Sequence, residues 1–197
     1  MALVAYGAST SDESRRLRRS ERTWKPRTLA DLYGLPLVDW QRVEARLAGP
    51  EQLAGSGGHD NRSWLATTNP DGSPHLTGLG PLCVSGLFHF TTGEATRKGR
   101  NLARDSRCTL GVSTDDFDLA VDGNAALVDA RDVVAEMAGR WAAGGWPASV
   151  DASSIALTAE YSAPSAGPPP WPVYRLTPRQ ATVVLAATPG GATRWRF

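Results

Sequence analysis

The sequence predicts a mainly β domain in which antiparallel strands form a small barrel with a few flanking helices. Three observations support this fold class. Short segments of alternating apolar and polar residues recur from residue 63 onward, which is typical of half-buried strands. Tight-turn sequences separate these segments, N-P-D-G-S at 69–73 and S-G at 85–86. A single short basic helix interrupts them at 97–105, whereas regular alternation of helices and strands would indicate a parallel sheet.

The predicted elements follow one another in chain order. A helix within residues 28–50 is indicated by apolar residues at helical spacing, Leu37, Val38, Trp40, Val43 and Leu47, and it ends at Gly49-Pro50. Strands are predicted at 64–68, 74–84, 87–92, 107–113, 117–129 and 173–178, with a further apolar segment at 180–188. A second long helix covers 131–146, with Val133, Val134, Met137 and Trp141 on one apolar face. The terminal T-R-W-R-F is expected to pack against this chain or a partner subunit.

The charge of the chain is unevenly distributed. The formal net charge is +1, yet residues 15–27 hold seven of the 21 basic residues. We interpret residues 1–34 as a basic, flexible extension and residues 35–197 as the folded domain. Nonspecific contact of the extension with nucleic acid or anionic lipid is the alternative interpretation. Because no nucleic-acid-binding motif accompanies the extension, nucleic acid is not expected as a partner.

Hydropathy and cysteine content indicate a cytoplasmic protein. No run of about 18 apolar residues is present to span a membrane, and residues 1–10 lack the pattern of a signal peptide. Cys83 and Cys108 lie outside any C-x-x-C pattern and are expected to be buried free thiols. His59, His75 and His89 show no metal-ligand spacing, so no metal site is predicted.

The basic helix is the most informative segment of the sequence. Thr96 is a suitable N-cap, so the helix begins with Arg97 and Lys98. Cations are disfavoured at a helix N-terminus, where the macrodipole is positive, unless an anion binds at the same place. Gly99 removes a side chain where a ligand or a neighbouring strand must come close. Two interpretations follow, a phosphate-binding site or a solvated basic surface.

The sequence contains no motif of a catalytic site that acts without a cofactor. It lacks a G-x-S-x-G elbow, a P-loop, a G-x-G-x-x-G after a strand and an H-E-x-x-H helix. The carboxylates at 115, 116 and 118 are interpreted as a solvated turn. No side chain is assigned as nucleophile or general base, so a bound cofactor is expected to supply any redox chemistry.

Taken together, the segments W-L-A-T-T-N-P-D-G-S-P-H, L-F-H-F-T-T-G-E-A-T-R-K-G-R-N-L-A-R-D-S-R, Y-S-A-P-S-A-G-P-P-P-W and R-W-R-F resemble the pyridoxamine 5′-phosphate oxidase-like family, and within it an actinobacterial branch. The resemblance covers residues 37–197. It implies an antiparallel six-stranded Greek-key split β-barrel that binds a flavin. It also implies a homodimer with two flavin sites at the interface.

The resemblance further implies which residues hold the cofactor. The phosphate of FMN, or the phosphate-bearing tail of the deazaflavin coenzyme F-420, would lie at Thr96, Arg97 and Lys98, with Thr91 and Thr92 beside it. The flavin ring would lie along the strand that carries His75, Leu76, Thr77, Gly78 and Leu79. The partner subunit would complete each site through Trp195 and Arg196. Trp146 and Trp171 are candidates for the wall on the substrate side.

Two departures from the family pattern affect the expected activity. Thr77 stands where pyridoxamine phosphate oxidases carry an FMN-contacting arginine, and the chain has R-W-R-F instead of their C-terminal arginine motif. We therefore expect a flavin- or deazaflavin-dependent oxidoreductase that transfers hydride to or from a small organic substrate, and no true pyridoxamine phosphate oxidase activity. The alternative hypothesis is a non-catalytic module that binds or sequesters a flavin or haem.

Overall fold

The computed structural model describes residues 25–29, 34–48, 62–186 and 190–197. The strands are β1 (Lys25–Thr28), β2 (Arg62–Thr68), β3 (Pro74–Gly78), β4 (Leu82–Val84), β5 (Leu87–Thr91), β6 (Arg107–Ser113), β7 (Phe117–Leu127), β8 (Ser149–Val150), β9 (Leu157–Thr158), β10 (Val173–Leu185) and β11 (Ala192–Arg196). The helices are α1 (Trp40–Leu47), α2 (Arg97–Arg104) and α3 (Arg131–Ala143), and a 3₁₀ turn spans Pro164–Ala166.

The strands confirm the predicted fold class, a mainly β, antiparallel split barrel. Nine of the described strands form one sheet, whose hydrogen-bonded path runs β1-β11-β10-β7-β6-β2-β3, while β5 pairs with both β10 and β4. The longest pairings join β7 to β10 and β6 to β7, so these three strands form the middle of the sheet. Strands β8 and β9 form a separate two-stranded hairpin.

The interior of the barrel is filled by the inward-facing residues of these strands. Along β7 buried and more exposed residues alternate, as expected for a strand with one face on the core. Eight of these core residues are completely buried: Leu65, Phe88, Phe90, Leu110, Val121, Leu176, Ala181 and Val183. Each large apolar side chain buried in this way stabilises the fold by about 1.5–3 kcal/mol.

Helix α1 closes one side of the barrel and is shorter than the sequence predicts. Asp39 caps it by accepting a hydrogen bond from the Gln41 amide at 3.0 Å. Trp40, Val43 and Leu47 are buried as predicted, whereas Leu37 precedes the cap and is 49% exposed. The helix begins at the residue that its cap selects, not at the first apolar residue of the periodic pattern.

Helix α3 covers a second, smaller core outside the barrel. Val134, Met137 and Trp141 face this core as predicted, and they pack there with residues such as Leu82 and Val173 from the sheet. The helix ends at Ala143, before the G-G-W-P sequence that the prediction included at its end. This second core fixes the position of the chain that follows α3, which forms part of the site described below.

The strand predicted at 74–84 is two strands with different partners. β3 pairs with β2, whereas β4 pairs with β5. The interruption falls at residues 79–81, L-G-P, where proline lacks the N–H needed to continue a ladder. Conversely, the segments predicted separately at 173–178 and 180–188 are joined in β10, which passes Pro178 through an irregularity in its pairing with β7.

Strand β1 lies within the segment that the sequence assigned to a basic extension. It pairs antiparallel with β11, so residues 25–28 belong to the sheet. The remaining part of the extension, the predicted linker at 51–60 and His59 lie outside the described residues. Among the described residues, no helix is long and apolar enough to cross a membrane.

His89 makes the stability of the fold sensitive to acid. It is 4% exposed, and its Nδ1 has no hydrogen-bond partner among the described residues. Burial, with a smaller effect from Arg175 and Arg140, lowers the pKa of His89 from 6.5 to about 4. As the pH falls through this window the unfolded chain takes up the proton first, so the free energy of unfolding should decrease by about 3 kcal/mol.

Urea unfolding measured across this pH window tests the prediction. His89→Leu should remove most of the decrease, since no group then titrates at this position. His75→Leu is the comparison: burial also lowers the pKa of His75, but this histidine is more exposed, so its removal should change the decrease less. Equal pH dependence in the wild type and in His89→Leu would contradict the prediction.

Candidate functional site

Thr96 organises the loop that precedes α2. Its hydroxyl oxygen accepts a hydrogen bond from the Gly99 amide at 3.1 Å, and its hydroxyl proton is donated to the Gly93 carbonyl at 2.7 Å. The Thr92 hydroxyl lies 3.0 Å away and therefore acts as a second donor to Thr96. The predicted N-cap is confirmed. Because its hydroxyl is fully used within the chain, Thr96 shapes the loop and has no proton left to offer a ligand.

Arg97 and Lys98 lie in the first turn of α2, where cations are electrostatically disfavoured. Among the described residues, neither forms a salt bridge with a carboxylate. Lys98 is only 3% exposed, and burial lowers the pKa of its ammonium group. Its Nζ donates to the Ser165 carbonyl at 2.5 Å. A buried ammonium that has a carbonyl but no carboxylate as partner favours the binding of an anion.

The backbone adds further donors at the same place. The Gly99 amide donates to the Thr96 hydroxyl, and the Arg100 amide donates to the Thr96 carbonyl. The amides of Arg97 and Lys98 lie too early in the helix to have a carbonyl acceptor within it. A helix N-terminus with free amides and two cations is a recurring arrangement for binding phosphate.

Gly99 is required by the chain itself. A Cβ atom at this position would lie 2.5 Å from the Gly93 carbonyl oxygen and 2.7 Å from that of Glu94. The loop at 93–94 therefore packs directly on α2. Gly93 in turn donates to the Ala166 carbonyl at 2.8 Å. The close approach anticipated from the sequence is thus to the neighbouring loop, and not to a ligand or a strand.

These groups line one side of a groove of about 560 Å³, which we call the cradle. Its other walls come from β3 and from residues 161–172 after α3, which we call the proline-rich segment. The lining residues are His75, Thr77, residues 93–98, Pro164, Ser165, Gly167, Pro168 and Pro170. Burial, followed by the positive charges of Arg97 and Lys98, lowers the pKa of His75. The lining contains one carboxylate, Glu94, against the two cations Arg97 and Lys98, so its net charge is positive and an anion would offset it.

A second cavity of about 450 Å³, which we call the chamber, adjoins the cradle. Lys98 and Ser165 line both, and β3 leads from one to the other. The chamber is bounded by Gly78, Leu79, Gly80, Thr91, Trp141, Gly144, Gly145, Trp146, Tyr161, Ser162, Ala163 and Ala166. Of its aromatic residues, the sequence predicted Trp141 as part of a helix face and only Trp146 as part of the site, because the chain around 144–163 has no periodicity that fixes its position.

Most of the predicted site residues come together in these two cavities. His75, Thr77, Thr96, Arg97 and Lys98 line the cradle, while Gly78, Leu79 and Thr91 line the chamber. The Thr91 hydroxyl donates to the Pro172 carbonyl at 2.9 Å. Leu76 projects to the other face of β3 and is 61% exposed, since successive side chains of a strand alternate between faces.

Trp195 and Trp171 lie in the interior of the chain, whereas Arg196 lies at its surface. Trp195 is 2% exposed and packs against Trp40, with ring centroids 5.2 Å apart, so its side chain has no surface for a partner subunit. Trp171 is also buried and donates to the Gly167 carbonyl. Arg196 is exposed and lines neither cavity of its own chain.

The model of the family described as pyridoxamine 5′-phosphate oxidase matches residues 58–184. The chain belongs to the pyridoxamine 5′-phosphate oxidase family. The match contains α2 and the strands that form the cradle. No curated protein matches the chain. Within the described residues, no group of histidine, cysteine, aspartate and glutamate side chains is arranged to hold a metal ion.

Solved structures support the fold of this family member. A pyridoxamine 5′-phosphate oxidase-related, FMN-binding protein from Nostoc punctiforme has a TM-score of 0.52 at 17% identity, with 80% of this chain and 91% of that chain covered. A putative 5-nitroimidazole antibiotic resistance protein from Bacteroides thetaiotaomicron has a TM-score of 0.51 at 12% identity, covering 88% and 90%. A haem-binding protein from Mycobacterium smegmatis has a TM-score of 0.50 at 18% identity, covering 76% and 55%.

The packing of Gly99 leads to a prediction about stability. Gly99→Ala should reduce the free energy of unfolding by about 1–3 kcal/mol, because the new methyl group meets two backbone carbonyls that cannot easily move. Gly139→Ala on α3 is the matched control. Nothing lies within 4 Å of its Cβ position, so alanine should stabilise that helix by about 0.4–1 kcal/mol. Chemical denaturation measures both, and equal stability of the two variants would refute the packing argument.

Proposed function

We propose that this protein binds FMN, or the deazaflavin coenzyme F-420, by its phosphate group in the cradle and acts as an oxidoreductase. One observation carries the proposal: the buried Lys98 ammonium and the Arg97 guanidinium lie at a helix N-terminus without a carboxylate partner among the described residues. Such a group of donors is suited to a phosphate dianion. Family membership makes a flavin phosphate the first candidate.

The chain's own residues have separate roles in this proposal. Arg97, Lys98 and the first-turn amides of α2 bind the phosphate. Residues 75–79 of β3 and its extension lead from the cradle to the chamber and would contact the ring, chiefly through backbone groups. The chemistry that the coenzyme supplies when bound is hydride transfer with a small organic substrate. The apolar walls of the chamber exclude water from that reaction.

A non-catalytic flavin- or haem-binding module is the second candidate. Among the residues that line the chamber, Lys98 is the only one with an ordinary acid–base side chain apart from the Tyr161 phenol. Coenzyme binding without turnover over a broad substrate panel would favour this candidate. We also propose that the protein is located in the cytoplasm, because Cys83 and Cys108 are both buried free thiols, as expected in a reducing compartment.

Lys98→Met tests the phosphate contact. Each charge-assisted hydrogen bond contributes about 1.5–3 kcal/mol, so the affinity for FMN should decrease by roughly 10- to 100-fold. Arg104→Met is the control, because Arg104 has the same charge but lies at the opposite end of α2, where it donates to the Thr68 carbonyl. The fluorescence of the flavin ring measures binding of FMN, and the fluorescence of the deazaflavin ring measures binding of F-420.

The His75 ring gives a second measurement that does not depend on turnover. A phosphate group in the cradle should raise the pKa of His75, because it offsets the positive charges of Arg97 and Lys98 that lower it. NMR titration with FMN should show this shift, whereas the buried His89 should not respond. An unchanged His75 pKa on saturation with FMN would place the phosphate elsewhere.

We further propose that two copies of the chain associate through the outer face of the sheet. Paired residues place Leu76, Ala66, Thr109, Asp122, Gln180 and Arg196 in one row across this face. The neighbouring row places the 46% exposed Trp64 between Gly78 and Gly111. An exposed indole among residues with little or no side chain favours close packing of a second surface.

This face also connects the interface to the site. Leu76 alternates along β3 with His75 and Thr77, which line the cradle, so a second copy seated on Leu76 would border the cradle. Arg196 lies in the same row as Leu76. Of the two C-terminal residues expected to complete the partner's site, Trp195 and Arg196, it is therefore Arg196 that a partner subunit can present to the cradle.

Trp64→Glu should convert a dimer into a monomer, because a charge would be buried in the interface without a partner. Ile155→Glu is the control, since Ile155 is 43% exposed but lies outside this sheet face. Light scattering coupled to gel filtration measures the mass. A wild-type monomer, or a Trp64→Glu dimer of unchanged stability, would refute the proposed interface.

A further inference from the structure

The chamber differs from the cradle in its chemistry. Of the residues that line it, Lys98 alone carries a charge, and its ammonium is bonded to the Ser165 carbonyl at the boundary between the two cavities. No arginine, histidine or carboxylate side chain is among the lining residues. Once the phosphate of the coenzyme is bound to Lys98 in the cradle, an anionic substituent inside the chamber would lack an ionic partner and lose its hydration.

The aromatic walls of the chamber are held in place by hydrogen bonds within the chain. Trp141 Nε1 donates to the Gly80 carbonyl at 3.0 Å, and Trp146 Nε1 donates to the Tyr161 carbonyl at 2.6 Å. The Tyr161 hydroxyl donates to the Gly145 carbonyl at 3.1 Å. The polar atoms of these rings are thus already used. What the rings offer to a ligand is their apolar faces and edges.

The position of Trp146 is further fixed by its neighbours. Its ring lies 5.8 Å from those of Trp141 and Trp171, so it belongs to a cluster of three indoles that continues into the buried core. Trp141 and Trp171 are each 2% exposed. A wall supported in this way keeps its shape when the chamber is empty, and a flat ligand can bind without first ordering it.

We propose that the chamber binds the substrate, and that this substrate is a neutral, planar ring compound without phosphate or carboxylate, with quinones as the leading class. The cavity volume of about 450 Å³ lies within the range of small-molecule sites. The lining also includes Ser162 and Ser165, whose hydroxyl groups are hydrogen-bond donors suited to the carbonyl oxygens of such a ring. The inference rests on the proposed function, because it assigns the substrate of that same site.

Equilibrium dialysis with two matched probes tests this inference. Menadione is neutral and planar, and naphthoquinone sulfonate has the same ring system with a negative charge. Menadione should bind at least about tenfold more tightly than the sulfonate, both on the protein saturated with FMN and on the FMN-free protein in saturating inorganic phosphate, which keeps the sulfonate out of the cradle. Equal or tighter binding of the sulfonate would overturn the inference, and so would displacement of menadione by FMN, which would assign the chamber to the flavin ring alone.

A charge introduced into the wall tests the location. Ala163→Arg places a cation beside the chamber and should reduce the preference for menadione by about tenfold or more through tighter binding of the sulfonate. Ala135→Arg is the matched control, because Ala135 is an exposed residue of α3 outside the chamber lining. An unchanged preference in a folded Ala163→Arg protein would overturn the assignment. Should that variant fail to fold, the preference of the wild type decides alone.

The outcomes separate the substrate from the coenzyme. Failure of the proposed function would appear as absent FMN binding, while the dialysis of the FMN-free protein in inorganic phosphate still measures the preference of the chamber. FMN binding together with a preference for the anionic probe would leave the proposed function standing and reject the neutral substrate class.

Discussion

The hydrogen bonds of the Thr96 hydroxyl determine the geometry on which the rest of the site depends. One oxygen atom accepts from Gly99 and Thr92 and donates to Gly93. It thereby joins the end of β5, the loop after it and the first turn of α2 into one unit. The cap also determines that Arg97 and Lys98 lie in the first turn of α2, because the helix cannot begin elsewhere without losing it.

The proline-rich segment completes this unit from the opposite side. Lys98 donates to Ser165, and Gly93 donates to Ala166. Both contacts use backbone carbonyls of the segment, which lies more than 60 residues away along the chain. Such a wall depends on the path of the backbone more than on its side chains. The local composition of the segment therefore reveals little about its role.

Local patterns explain which parts of the molecule were predictable. The β2–β3 hairpin, the cap at Thr96 and the apolar face of α3 are set by neighbouring residues, and the structure confirms them. The division of the predicted strand 74–84 was missed because each half has an acceptable strand pattern, and only the pairing partners distinguish them. Sequence-local reasoning has no access to those partners.

The site shows the same distinction. Arg97 and Lys98 could be identified because their charges conflict with the helix dipole, which is a local signal. The chamber as a cavity could not, since Tyr161 joins the expected Leu79 and Trp146 only after α3 has packed on the sheet. Trp195 is a further example: the sequence left open whether the terminal segment packs against this chain or a partner subunit, and tertiary packing buries Trp195 against Trp40.

The position of β11 has a consequence for the order in which the protein can fold during synthesis. This strand lies between β10 and β1, and it pairs with both. The first described strand, β1, therefore has no hydrogen-bonded neighbour in the sheet until residues 192–196 have been synthesised. The core of the barrel also lacks the Trp195 side chain until then. A ribosome that has released only the first 185 residues presents a sheet with an open edge at β10, which is the stage at which association with another unfinished chain is most favoured.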